Sequence, residues 1–442
     1  MDSDRARLRR ITLAVTAAGL AAFALLYAPQ AVLPQLAAEF GLRPGGASLA
    51  VSAATGALAL TVLPIAALSE VVGRRPVMIT AVVVAAVLGL ALPFAPSYPV
   101  LIALRVAQGA AVAGLPAVAM AYLAEEVGVA GIGAAIGAMV AGNSVGGMSG
   151  RLLSGFSVGW LGWRGAVAAV GVFGAACAVL LVICLPRQRS GRRAARRTTS
   201  VLGGLRAAVS DPVLLAQYAV GALAMGSFVA LYNVIGFRLA APPLSLSPSV
   251  ASLVFLAYAV GGVCSALAGR VADRLGRVPV LLGALAVTVA GALVTLPDAV
   301  PAVAVGFALF TGGFFAAHSV ASGWVGARAP AHARGQASGL YLGAYYLGSS
   351  TGGTAGSAAF EAWGWGGLVA VSGGWLAVAA LAVLGARTAQ KSSGTSIGCP
   401  EGASVVSPIV GSVTLPAVSP SLTDRTSTGT STTTAIGKVP PS

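Results

Sequence analysis

GNSVGGMSGR, residues 142–151, and GSSTGGTAGS, residues 348–357, share five positions at a constant offset of 206: Gly142/Gly348, Ser144/Ser350, Gly146/Gly352, Gly147/Gly353 and Gly150/Gly356. In each, glycine returns every fourth residue inside an apolar run. That spacing lays a strip without side chains along one helix face, where a second helix backbone comes close in lipid. Two such strips in one chain predict two bundles packed in the same way.

The duplication extends outward. Glu70, Gly73 and Arg74 recur as Asp273, Gly276 and Arg277 at an offset of 203, and Phe23, Leu26 and Tyr27 recur as Phe228, Leu231 and Tyr232 at 205. Between these landmarks lie apolar stretches near the length of roughly 20 residues that crosses a bilayer. They fall at 11–36, 48–69, 77–96, 99–122, 131–156, 163–185, 213–239, 250–271, 278–297, 300–325, 335–360 and 366–386. The runs are continuous rather than alternating, which argues against a β-barrel. The expected fold is therefore all-α and integral to the membrane, with twelve transmembrane helices in two parallel six-helix repeats. An even number of spans per half gives both halves the same orientation, leaving a cavity between them.

Composition agrees. Hydrophobic residues make up 57% of the 442-residue chain and charged residues only 9%, with a mean hydropathy of +0.88. Soluble domains carry about 25% charged residues. The net charge of +15 would suggest nucleic acid for a soluble protein, but here it follows from topology. Arg5, Arg7, Arg9, Arg10, Arg74, Arg75, seven arginines between 187 and 206, Arg270, Arg274, Arg277, Arg328 and Arg334 all fall on one side. The positive-inside rule puts that side and both termini in the cytoplasm, with anionic lipid as the partner of the loops and no nucleic acid. The expected organisation is an N-terminal six-helix bundle at 1–186, a basic cytoplasmic linker at 187–212, a C-terminal six-helix bundle at 213–390 and a disordered Ser/Thr/Pro-rich tail at 391–442. Cys177, Cys184, Cys264 and Cys399 show no metal or redox spacing and read as free thiols. Neither metal nor cofactor is expected.

Several motifs carry chemistry. Ala66-x-x-x-Glu70-Val71-x-Gly73-Arg74-Arg75 and Gly269-x-x-x-Asp273-Arg274-x-Gly276-Arg277 place a carboxylate, a turn glycine and guanidinium groups at a helix end. Such a set can latch two helices, so both copies read as gates. Their arginines also obey the topology rule. The first copy has Ala66 and Val71 at positions where the second has Gly269 and Arg274, so the gate is expected to lean on the second copy.

Charges within spans are functional hypotheses by default. Arg105, with Gln108 three residues on, can hold a proton-path or substrate carboxylate. Arg151 is a further candidate for that path, although a structural role is the commoner reading. His318 is the one deep residue that ordinarily titrates near neutrality, although a neutral histidine bridging helices is the commoner case. Gln30, Gln35, Asn143, Gln217, Tyr218, Asn233, Tyr258, Tyr341, Tyr345 and Tyr346, with the repeat pair Tyr27 and Tyr232, are candidates to line the cavity. No Asp or Glu falls at the centre of a span.

These motifs together resemble the major facilitator superfamily over residues 11–387. The resemblance implies a twelve-helix carrier working by alternating access, and the phrases GNSVGGMSGR, GFFAAHSVAS and YYLGSS resemble its YnfM-like branch of bacterial efflux transporters. Arg105-x-x-Gln108-Gly109 resembles the motif of proton-coupled members. The Gly142, Gly146, Gly150 row resembles the exporter motif, with Gly147 in place of its usual proline and Arg151 in place of a small residue. The function implied is proton-coupled export of a small organic solute from a bacterial cell, by a monomer in the inner membrane. Uptake, facilitated diffusion and sensing without flux are the alternatives. ATP-driven pumping lacks its phosphate-binding loop, and no reactive cluster suits a membrane enzyme.

Overall fold

The computed structural model describes residues 2–127, 129–187 and 201–392. The Ser/Thr/Pro-rich tail, Cys399 and most of the basic linker lie outside them.

The described chain is helical, and nine of its helices are long and apolar enough to cross a bilayer. Two of these nine each contain two passes. Val129–Cys184 breaks at Gly162 (φ 63°, ψ 178°), and Arg334–Ser392 breaks at Gly364 (φ 66°, ψ −166°). The first doubles back, because Gly150 faces Ala24 while Gly174 faces Leu25; a straight helix would separate those glycines by about 36 Å. With the shorter Tyr98–Val112 helix, the chain makes twelve passes.

Pass 1 runs through Asp2–Tyr27, a 3-10 turn at Ala28–Val32 and Leu33–Phe40; pass 2 is Pro44–Val72; pass 3 is Arg74–Ala91. Pass 4 joins Tyr98–Val112 to Pro116–Glu126, and passes 5 and 6 flank Gly162. Pass 7 is Pro212–Ala240, pass 8 ends as Ala257–Leu275, pass 9 is Arg277–Val294 and pass 10 is Val300–Arg328; passes 11 and 12 flank Gly364. A helix at Val201–Ser210 precedes pass 7. The Asp211 side chain then accepts from the Val213 N–H, capping pass 7 at 2.8 Å.

The glycine rows do what their spacing predicts. A Cβ at Gly142, Gly146 or Gly150 would strike the backbone of Thr16, Leu20 and Ala24 respectively; one at Gly348 or Gly352 would strike the backbone of Ala222 and Gly226, and one at Gly356 the methyl of Ala230. Passes 5 and 1 thus pack as passes 11 and 7 do, and both members of each pair obey the offset of 206. This packing places Tyr27 opposite Asn233 in the repeat rather than Tyr232, one residue away from the register read off Phe23, Leu26 and Tyr27.

Gly73 and Gly276 end passes 2 and 8 with φ of 106° and 87° and ψ near 150°. Only glycine adopts that backbone without strain. Gly276→Ala is expected to destabilise the protein by about 1–3 kcal/mol, although a methyl there meets only the Pro279 ring at 3.9 Å. An unchanged unfolding midpoint in the purified variant would show that the turn relaxes elsewhere.

For orientation, the side carrying Arg7, Arg74 and Arg75 is called the basic side, and the side carrying Glu39, Gly45 and Glu361 the far side.

Candidate functional site

Arg105 is fully buried. Its Nε donates to the Ala50 carbonyl at 2.6 Å, its Nη1 to the Leu25 carbonyl at 3.0 Å and to Gln108 Oε1, and its Nη2 to the Leu26 carbonyl. Gln108 in turn donates to the Ala85 carbonyl at 2.9 Å. A methyl on Gly109 would overlap the Ala54 backbone. The sequence Arg105-x-x-Gln108-Gly109 therefore ties pass 4 to passes 1, 2 and 3 through backbone oxygens. Among the described residues no carboxylate pairs with Arg105.

Arg151, on pass 5, is 2% exposed. Its Nη1 donates to the Gly147 carbonyl one turn back at 2.6 Å, and its Nε donates to Gln30 Oε1 at 2.5 Å. Gln30 Nε2 donates to Asn233 Oδ1 at 2.6 Å, which carries the chain of bonds from the N-terminal half to pass 7. The guanidinium lies over the rings of Tyr27 at 4.3 Å, Tyr258 at 4.6 Å and Phe255 at 5.6 Å. Ser357, its counterpart in the other half, makes only the equivalent one-turn bond, to the Gly353 carbonyl at 2.8 Å.

Other cross-half contacts gather on the far side. Ser350 Oγ donates to the Ser52 carbonyl at 2.7 Å, and Glu361 accepts from the Gly45 N–H. Gly155 abuts Ser252, and Gly236 abuts Pro34. On the basic side the contact of pass 2 with pass 11 continues, with Leu63 against Gly339.

The two gate copies differ. Arg74 pairs with Glu125 at 3.2 Å and with Glu70 at 3.7 Å, and Arg75 Nε donates to the Leu185 carbonyl at 3.2 Å. Arg7 pairs with Glu126. In the second copy Arg270, Asp273 and Arg274 are exposed, and among the described residues neither they nor Arg277 make an ion pair. Glu125 on pass 4 supplies Arg74 of the first copy with a carboxylate, and among the described residues no carboxylate pairs with Arg277 of the second.

His318, partly buried on pass 10, joins an aromatic cluster of the C-terminal half. Its Nδ1 meets the Tyr341 hydroxyl at 2.9 Å, and its ring lies 4.7 Å from that of Tyr345. Tyr232 bonds Thr311 at 2.7 Å beneath Phe228 and Phe307. Asn143 sits apart, its Oδ1 against Gly19 without a hydrogen-bond partner. Ser52 and Phe255 at the central cluster were not singled out by sequence; both are ordinary residues of apolar passes and leave no pattern. Arg238 is held by Asp298 at 3.1 Å and stacks on Trp365 at 4.5 Å, within its own half.

Two like six-helix bundles meeting around a polar centre have the architecture of a membrane transporter of the two-repeat class. The profile of the Major Facilitator Superfamily matches residues 11–244 and again 223–422, and the chain belongs to that family. It is 40% identical over 365 residues to the MFS-type transporter YybF of Bacillus subtilis (strain 168), covering 82% of this chain and 89% of YybF. It is 42% identical over 372 residues to the inner membrane transport protein YnfM of Escherichia coli (strain K12), covering 84% of this chain and 89% of YnfM. Among solved structures it matches a bacterial homolog of the human lysosomal transporter Spinster, in an inward-facing and unoccupied conformation, with a TM-score of 0.72 at 17% identity over 87% of this chain and 98% of that one.

Proposed function

We propose that the protein is a secondary active exporter of a small organic solute, coupled to protons and working by alternating access. It is a monomer of the bacterial inner membrane, with its basic side in the cytoplasm. The observation that carries the alternating-access reading is the asymmetry of closure. Polar bonds join the halves on the far side, through Gln30 and Asn233 and through Ser52 and Ser350, while Arg270, Asp273 and Arg274 are exposed on the basic side and make no ion pair among the described residues. Moving the closure from one side to the other exposes the centre alternately. The arginine distribution supports the orientation. Export and proton coupling rest on the likeness of the Arg105 and Gly142 motifs to those of proton-coupled exporters. A second reading, facilitated diffusion or uptake, is favoured by one observation: no Asp or Glu occupies the interior of a described span.

The test is a pH-sensitive fluorophore in energised everted vesicles, challenged with a panel of drugs and sugars. Proton release that follows a compound and is absent from vesicles lacking the protein supports coupled export. Solute flux without proton movement selects the second reading.

If the second gate copy closes the basic side, Asp273→Asn should slow turnover severalfold while leaving substrate affinity within about twofold, because Asp273 is exposed at the end of pass 8, away from the centre. Wild-type turnover at matched expression would remove the gate from Asp273.

A further inference from the structure

Arg151 presents an electrostatic problem. A buried guanidinium ordinarily has a carboxylate, yet of the carboxylates from Glu39 to Glu361, whose side chains are described, each but one is engaged elsewhere. Glu39 pairs with Arg164, Glu70 and Glu125 with Arg74, Glu126 with Arg7, Asp211 with Arg328 and Asp298 with Arg238. Glu361 accepts from Gly45, and Asp273 is exposed at the basic end of pass 8. Arg151 therefore holds its charge with one carbonyl, one amide oxygen and ring faces.

The hydrogen-bond polarity around it is fixed. A guanidinium only donates, so Gln30 must turn its oxygen to Arg151 and its NH2 to Asn233, which must accept. That leaves Asn233 Nδ2 as a donor, and it is buried without a partner. Ser52 Oγ, from the other half, is likewise buried and unpartnered. Both lie near one spot, since a Cβ on Gly353 would be 2.9 Å from Asn233 Nδ2 and 3.0 Å from Ser52 Oγ. An uncompensated cation walled by Tyr27, Tyr258 and Phe255, linked through Gln30 to a residue with a spare donor, is complementary to an acceptor of negative charge with an apolar body.

We propose that the Arg151 cluster binds the carboxylate of an organic monoanion, which displaces Gln30 Oε1 from the guanidinium. The inference rests on the transporter reading and adds the substrate class. Displacement has a mechanical result. Gln30 is the bond between the halves at this level, so an arriving anion weakens the far-side closure as it binds.

The test uses purified full-length protein at constant ionic strength and follows the unfolding midpoint against acetate, butyrate, benzoate and phenylacetate, each paired with its neutral amide. At least one carboxylate should raise the midpoint saturably where its amide does not. Arg151→Gln should abolish the response, Arg151→Lys should weaken apparent affinity about tenfold because a point charge replaces the fork, and Gln30→Leu should tighten it by removing the competitor. The proposal is overturned if no carboxylate exceeds its amide, or if Arg151→Gln responds like wild type. Should Arg151→Gln fail to fold, unchanged affinity in both Arg151→Lys and Gln30→Leu overturns it equally. Flux of neutral solutes with no carboxylate response defeats the anion site and leaves the carrier; a saturable carboxylate response with no flux of any solute defeats the carrier and leaves the site.

Discussion

Replacing Gly352 by valine is expected to leave almost no folded protein in the membrane. The new side chain would enter the backbone of Gly226 on pass 7, and a backbone cannot swing aside as a side chain can. Overpacking of ordinary cores costs about 1–3 kcal/mol. Here the strain falls on a contact that also fixes Gly348 against Ala222 and Gly356 against Ala230, so the loss should reach or exceed the top of that range. Gly283→Val is the control, since a Cβ there meets nothing within 4 Å. Membrane yield and gel-filtration profile read the outcome. A Gly352 variant that behaves like the Gly283 variant would mean that passes 7 and 11 are not in backbone contact.

Arg105→Leu should be nearly as damaging. The substitution leaves the carbonyls of Leu25, Leu26 and Ala50 and the Gln108 side chain without the donor they share. Each orphaned buried acceptor costs roughly 1–3 kcal/mol, and in lipid no bulk water replaces the donor. We expect a loss of about 2–4 kcal/mol, the scale of one or two such acceptors left without a donor, with transport lost as well. Arg105→Lys should recover only part, because a lysine cannot fork to several carbonyls at once. An Arg105→Leu protein that melts like wild type would show that these bonds are dispensable.

What the sequence disclosed follows from what lipid demands. Twelve passes were legible because each must be long and apolar, and the repeat was legible because glycine at a backbone contact tolerates no substitute. The register of pass 1 on pass 7 was misjudged by one residue. Phe23 and Tyr27 find look-alikes at Phe228 and Tyr232, while the true packing partners, Thr16, Leu20 and Ala24, are ordinary residues whose role lies in their backbone. The same reason hid the partners of Arg105. Its burial was readable, but three of its acceptors are carbonyls, which every residue has. The bridge from Arg151 through Gln30 to Asn233 draws on three passes separated by up to 203 positions, and no spacing rule connects them. The unequal gates were illegible for a different reason: a motif records which residues recur, not which state of the cycle pairs them.

The lone guanidinium on pass 5 has an electrical consequence. A formal charge inside the bilayer feels the membrane potential, and carrying one elementary charge across 100 mV involves about 2.3 kcal/mol. Ser357 supplies no matching charge in the other half, so rocking of the bundles shifts unbalanced charge through part of that field. The empty carrier's preference between its two faces should therefore follow voltage, visible as a transient current on a potential step without any solute present. With a monoanion seated on Arg151 that pair is neutral, and the current should fall to the share carried by Arg105, the other guanidinium buried in the same half.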